Sequence, residues 1–250
     1  MPLTEPYRMA WRYALLCPLL FLIPAAFEFV QHISEMWLGF YGSLERMKAA
    51  EHAPLRMVLG HFKVIALTLV TYWAIRFYAF DSDPLAARTL DPRAVRLFIP
   101  VLLWAVLWLI LLHDSLPLLL AAGLSQRGAA ILLGVLLLTS FALDIGLAAW
   151  KSAAVLGNGG IGFLRSIQLT WRHFGWALGL MLAALLPLMI VHYALAVLPI
   201  GRPFWAAAML LAVDSLLVAY MIPVAMAANW LIARRVTSAA GLSVMPPAAQ

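Results

Sequence analysis

Residues 174–198 read FGWALGLMLAALLPLMIVHYALAVL, 25 consecutive positions without an Asp, Glu, Lys or Arg. A helix rises about 1.5 Å per residue, so about 20 apolar residues cross a bilayer core of roughly 30 Å. A helix is also the one single-segment structure that satisfies its backbone polar groups internally while surrounded by lipid. The stretch therefore predicts a transmembrane helix. The same criterion finds five more spans, at residues 13–31, 62–80, 95–112, 129–149 and 204–232, with prolines 18, 24, 100, 187 and 223 inside the set. Composition agrees with this pattern. The 250 residues are 65% hydrophobic and 11% charged, with a mean hydropathy of +0.94, whereas about a quarter of a soluble domain is charged. With 17 basic and 11 acidic residues the chain cannot coat a water-soluble globule of this size. The predicted fold class is an all-α polytopic transmembrane bundle forming one domain over 1–250, with a flexible C-terminal tail at 236–250.

Several classes are excluded. The single cysteine, Cys17, allows neither an intramolecular disulfide framework nor a multi-cysteine metal centre. It reads as a small apolar residue: Ala14-Leu15-Leu16 does not make a lipidation signal, and Pro24-Ala25-Ala26 is a poor cleavage site, so the first apolar block is expected to be a retained helix. The net charge of +6 is scattered over helix ends, as the positive-inside rule predicts, and does not form a nucleic-acid footprint. With the N-terminus in the cytoplasm, Arg8, Arg12, Arg76, Arg88, Arg93, Arg96, Lys151, Arg165, Arg172, Arg234 and Arg235 fall inside. Arg46, Lys48, Arg56, Lys63, Arg127 and Arg202 fall outside. This eleven-to-six bias places both termini in the cytoplasm of a bacterial inner membrane.

Two stretches between spans read as amphipathic interfacial helices. Over residues 36–47, Met36, Trp37, Phe40, Tyr41, Leu44 and Met47 recur at helical spacing away from Glu45, Arg46 and Lys48. After the Gly157-Asn158-Gly159-Gly160 break, Ile161, Leu164, Ile167 and Trp171 oppose Arg165, Gln168 and Arg172. Residues 116–124 are too short to span and read either as a re-entrant or interfacial turn within 114–127 or as a half-helix leading into the fourth span. Leu59-Gly60-His61-Phe62 and Trp171-Arg172-His173-Phe174 each follow a span and an interfacial helix, which suggests an inverted repeat of three helices per half, 1–113 and 114–235. The run Leu164-Arg165-Ser166, Trp171-Arg172-His173-Phe174-Gly175-Trp176 and Ala177-Leu178-Gly179-Leu180 resembles bacterial six-helix proteins of the glycerophosphodiesterase membrane-domain type. The resemblance implies a six-helix architecture; the soluble phosphodiesterase domain of that family is absent.

Ionisable groups inside spans are costly and mark candidate sites. Glu28, His32 and Glu35, at steps of four and three, share one face at the outer end of the first span and suit a proton relay or a metal ion. The structural alternative is that the helix leaves the hydrocarbon near Gln31 and these groups are wetted. Asp144 and Asp214 lie in the fourth and sixth spans. Asp214, deep in an apolar run, is expected to face the bundle interior with His192, Tyr220 or Asn229 as partner. His32, His61, His113 and His192 approach the outer leaflet and form a candidate haem-ligand set. No nucleophile elbow, Walker loop, zinc-protease or dinucleotide motif is present, so no catalytic residue is assigned, and no cofactor beyond the haem and metal candidates. Three functions stay open: binding or moving a small solute or lipid, serving as an accessory or scaffold subunit beside other membrane proteins or copies of itself, and holding haem or metal in redox work.

Overall fold

In the computed structural model, which describes residues 3–247, proline and small polar caps set most helix starts. Pro18, Pro54 and Pro92 each open a long helix at the first-turn position, where a missing N–H costs nothing. Asp91 and Ser125 accept hydrogen bonds from the first-turn amides of the helices they precede. The elements are α1 (Glu5–Leu16), α2 (Pro18–Trp37), α3 (Leu44–Ala50), α4 (Pro54–Ala79), α5 (Pro84–Arg88), α6 (Pro92–Leu109), a π-helical turn (Ile110–Asp114), α7 (Ser115–Ala121), α8 (Gln126–Gly146), α9 (Ala148–Val155), α10 (Phe163–Trp171), α11 (Phe174–Val197) and α12 (Phe204–Ser238). Six helical stretches are long and apolar enough to cross a membrane: Pro18–Trp37, Pro54–Ala79, Pro92–Ala121, Gln126–Gly146, Phe174–Val197 and Phe204–Ser238. The chain is an all-α polytopic membrane protein.

Three boundaries differ from expectation. The first span begins at Pro18 and not at residue 13, because Cys17 leaves helical geometry (φ −126°, ψ 52°) and separates α1 from α2. Residues 116–124 are no re-entrant turn: α7 extends the third span through the π-turn, giving one helical stretch Pro92–Ala121. Pro117 explains the π-turn, since its ring lacks the N–H that the His113 carbonyl needs and crowds that carbonyl, and the preceding turn widens. The helix expected over 36–47 is broken. Gly39, at φ +71°, ends α2 in a Schellman turn, with Phe40 N–H donating to Glu35 O (2.9 Å) and Gly39 N–H to Met36 O (3.0 Å). The turn folds Phe40 and Tyr41 inward against Leu211.

The chain divides into two compact units, residues 1–88 with 182–228 and residues 89–181 with 229–250. In the first, α2 packs along α4 and α1 against both, around Tyr13, whose ring meets Phe77 edge-on at 5.4 Å. Pro187 deprives the Ala183 carbonyl of its helical donor, and the Tyr7 hydroxyl donates to that oxygen at 2.8 Å. In the second unit α6 packs on α9, and α9 and α8 on α10. Ser166 fastens α10 over the α8–α9 break: its hydroxyl donates to Gly146 O (2.8 Å) and accepts from Trp150 N–H (3.0 Å). The buried face of α10 is therefore Ser166, Leu169 and Thr170. Leu164 and Trp171, on the apolar side of the amphipathic pattern, are exposed on the protein surface, while short hydroxyl side chains let α10 approach α8 closely. The terminal segment is helical to Ser238, and the Asn158 amide then donates to the carbonyls of Ser243, Val244 and Met245. Residues 248–250 of the expected tail lie outside the described residues.

Candidate functional site

The spans invert the soluble arrangement. Leu138, Ile190 and Met209 face outward, while Glu28, His32, Glu35 and Asp214 are each at most 5% exposed. All four lie in the first unit. Because α2 continues to Trp37, its three ionisable groups sit within the helix and are buried, contrary to the wetted alternative. Asp214 comes from α12 and His192 from α11.

His32 is the centre of the group. Its Nδ1 lies 3.0 Å from Glu35 Oε2, and its Nε2 lies 3.2 Å from Asp214 Oδ2 and 3.5 Å from Glu28 Oε1. A ring with carboxylate oxygens at both nitrogens fills both positions as a donor when it carries two protons. The other Asp214 oxygen, Oδ1, faces His192 Nδ1 at 2.8 Å. One carboxylate thus bridges two imidazoles from different helices. Of the three partners expected for Asp214, His192 is the one in contact; Tyr220 donates to Tyr7 O, and both amide atoms of Asn229 lack a partner among the described residues.

Two cations from α4 complete the group. Lys63 Nζ lies 3.2 Å from Glu28 Oε1, and Arg56 Nε donates to Glu35 Oε1 at 2.8 Å. Seven residues separate the carboxylates on α2 and seven separate the cations on α4, so two antiparallel helices pair them in a single register. Arg56 also lies over the Phe40 ring at 5.0 Å. The Tyr41 hydroxyl donates to Glu35 Oε2 at 2.7 Å, and Gln31 Nε2 donates to Oε1 at 3.1 Å. Burial, then the Glu35 carboxylate, push the Tyr41 hydroxyl well above its ordinary range, so it serves as a fixed donor.

Glu28, His32, Glu35, His192 and Asp214 therefore meet, as a carboxylate–imidazole chain with two counter-cations. Asp144 belongs to the second unit, where it pairs with Lys151. No protein-family model, curated protein or solved structure matches this chain. The chemistry must be read from the geometry. Three carboxylates face one guanidinium and one ammonium, so a single proton on an imidazole neutralises the group. For a metal ion, Glu28, His32 and Asp214 offer ligand atoms all within 4.8 Å of one another. Glu35, counted in the metal set from the sequence, faces the opposite ring nitrogen and is taken up by Arg56, Tyr41 and Gln31. As haem ligands His32 and His192 are badly placed, because one carboxylate joins them where a macrocycle would need a gap. His61 Nδ1 is 2.6 Å from Met57 O on its own helix, and His113 lies in the π-turn.

The residues missed by sequence reading are Tyr41, Arg56, Lys63 and Gln31. For the cations a signal existed in the matched seven-residue spacing of Glu28/Glu35 and Arg56/Lys63. For Tyr41 it was Gly39, which folds the chain back onto the helix it ends.

Proposed function

We propose that the chain is a bacterial inner-membrane protein that binds or moves a small solute in step with protonation of the buried group around His32. The observation that carries this reading is the Asp214 carboxylate, fully buried and held between His32 and His192. Intramembrane carboxylate–histidine chains of this kind suit proton exchange, since each carboxylate can accept a proton from one ring and release it to the next. Lys63 and Arg56 already neutralise two of the carboxylates. One proton balances the remainder, whereas a divalent cation would leave net charge in a low-dielectric setting. The excess of Lys and Arg on one side of the spans supports cytoplasmic termini.

The test needs no knowledge of the solute. Infrared difference spectra of the purified protein between pH 5 and 10 should show carboxylate and imidazole bands changing together, and Asp214→Asn and His32→Gln should remove that change. Bands that stay constant across this window in the wild-type protein would make the group a static ion-pair network and end the proposal.

A further inference from the structure

We propose that the second unit holds one anionic phospholipid, its phosphate on Arg165 and Arg172 and an acyl chain in the apolar cleft beside them. The inference is independent of the His32 group. Arg165, Gln168 and Arg172 follow one another at three- and four-residue steps, which puts them on one face of α10 and its C-cap. With His173 and, from the end of α12 and just beyond it, Val236 and Ala239, they line a cavity of about 520 Å³. A second cleft of about 350 Å³ adjoins it, bounded by Leu138, Ala142 and Leu143 of α8 and by Phe174. Ile167 and Trp171 line both. Each volume falls within the roughly 300–1,000 Å³ of small-molecule sites. One space holds the cations and is lined by polar and apolar groups alike, the other is almost wholly apolar, and they share a wall, which is the division within a phospholipid.

The charges are available. Among the described residues no carboxylate pairs with Arg165 or Arg172. Two other arginines of this unit are engaged, Arg235 stacked on Trp176 at 4.1 Å and Arg234 on Trp230 at 5.8 Å. A guanidinium offers a planar fork of donors suited to phosphate oxygens. Leu164 and Trp171, each 72% exposed, flank the arginines. An exposed Trp beside basic residues is the signature of headgroup depth, which selects a lipid over a soluble phosphate compound. The mount is firm, because Ser166 bonds α10 to the end of α8 and the start of α9.

The test uses the full chain, purified and stripped of lipid in a neutral detergent. Phosphatidylglycerol, phosphatidylcholine and inorganic phosphate are added separately, with thermal unfolding as the readout. Phosphatidylglycerol should raise the midpoint saturably, and the other two should not. Arg165→Gln/Arg172→Gln should weaken the effect roughly twenty-five-fold, at about a factor of five for each basic group near a lipid headgroup. Arg93→Gln/Arg127→Gln removes equal charge elsewhere and should leave it intact. Ala142→Phe, which fills the apolar cleft while keeping both arginines, should also weaken it. Equal stabilisation by phosphatidylcholine, reproduction by inorganic phosphate, or an Arg165→Gln/Arg172→Gln protein that responds within threefold of wild type would each overturn the proposal.

Discussion

Replacing Glu35 with Gln gives the sharpest test of how the buried group is held. The carboxylate accepts from Tyr41 Oη at 2.7 Å, Arg56 Nε at 2.8 Å, His32 Nδ1 at 3.0 Å and Gln31 Nε2 at 3.1 Å. Glutamine keeps one carbonyl oxygen and turns an NH2 toward two of these donors, so about half the contacts are lost. Hydrogen bonds to a charged group contribute about 1.5–3 kcal/mol each, and stripping one partner from a buried ion pair costs about 3–5 kcal/mol. The Arg56 side chain is 22% exposed and partly wetted, which favours the lower end. A loss of about 3 kcal/mol is a large share of the roughly 5–15 kcal/mol that holds a domain together. Arg56→Met should cost a comparable amount by leaving Glu35 charged and buried. The double variant Glu35→Gln/Arg56→Met removes both charges and should be about 2 kcal/mol more stable than the two single losses summed. Reversible unfolding in mixed micelles, titrated with sodium dodecyl sulfate and followed by circular dichroism, measures all four proteins. Losses that add within about 0.5 kcal/mol would refute the reasoning, because uncoupled groups add in that way.

Gly39→Ala should destabilise the protein by about 1–2 kcal/mol on thermal unfolding, since φ is +71° and the nearest atom to an added Cβ is 3.9 Å away, leaving backbone strain as the cause. Gly39→Asn should cost less, because asparagine tolerates the left-handed region. The Tyr41 hydroxyl titrates higher folded than unfolded, so its contribution to stability is complete below the unfolded value of about 10 and is lost as pH rises above it. Wild type should thus lose up to about 1.4 kcal/mol per pH unit more than Tyr41→Phe in that alkaline range, a difference that urea titrations at pH 9 to 11 would detect or exclude. Reporter fusions after residues 50 and 159 should emerge on opposite sides of the membrane, the first outside and the second cytoplasmic; the same side for both would break the six-span topology.

The number of spans was readable because apolar length is a local property of the chain, and the 174–198 run alone demands a membrane. Boundaries were harder. Cys17 looks like one more apolar residue, and its departure from helical geometry shows only when Pro18 is recognised as a helix opener and not as a kink. The 36–47 stretch has a sound helical period, but one glycine in the left-handed region outweighs that period. Glu28, His32 and Glu35 were found by spacing on one helix, and Asp214 by its isolation in an apolar run. Their meeting, 182 residues apart for His32 and Asp214, depends on how helices pack, which no local pattern encodes. Arg56 and Lys63 look like outer-face anchors as long as loop charge is weighed for topology alone. A register comparison of neighbouring helices would have matched them to the two glutamates.

The paired seven-residue spacing bears on how the chain enters a bilayer during synthesis. Either helix alone would carry uncompensated charge into hydrocarbon, at about 2.5–3.5 kcal/mol per group near a helix centre. Threaded together as a hairpin, α2 and α4 present two neutralised couples. His32 must then wait for Asp214 until α12, far downstream of the hairpin, is inserted. The acid that completes the buried group thus arrives well after the hairpin, so a chain truncated before α12 would carry an early hairpin whose imidazole lacks its bridging partner.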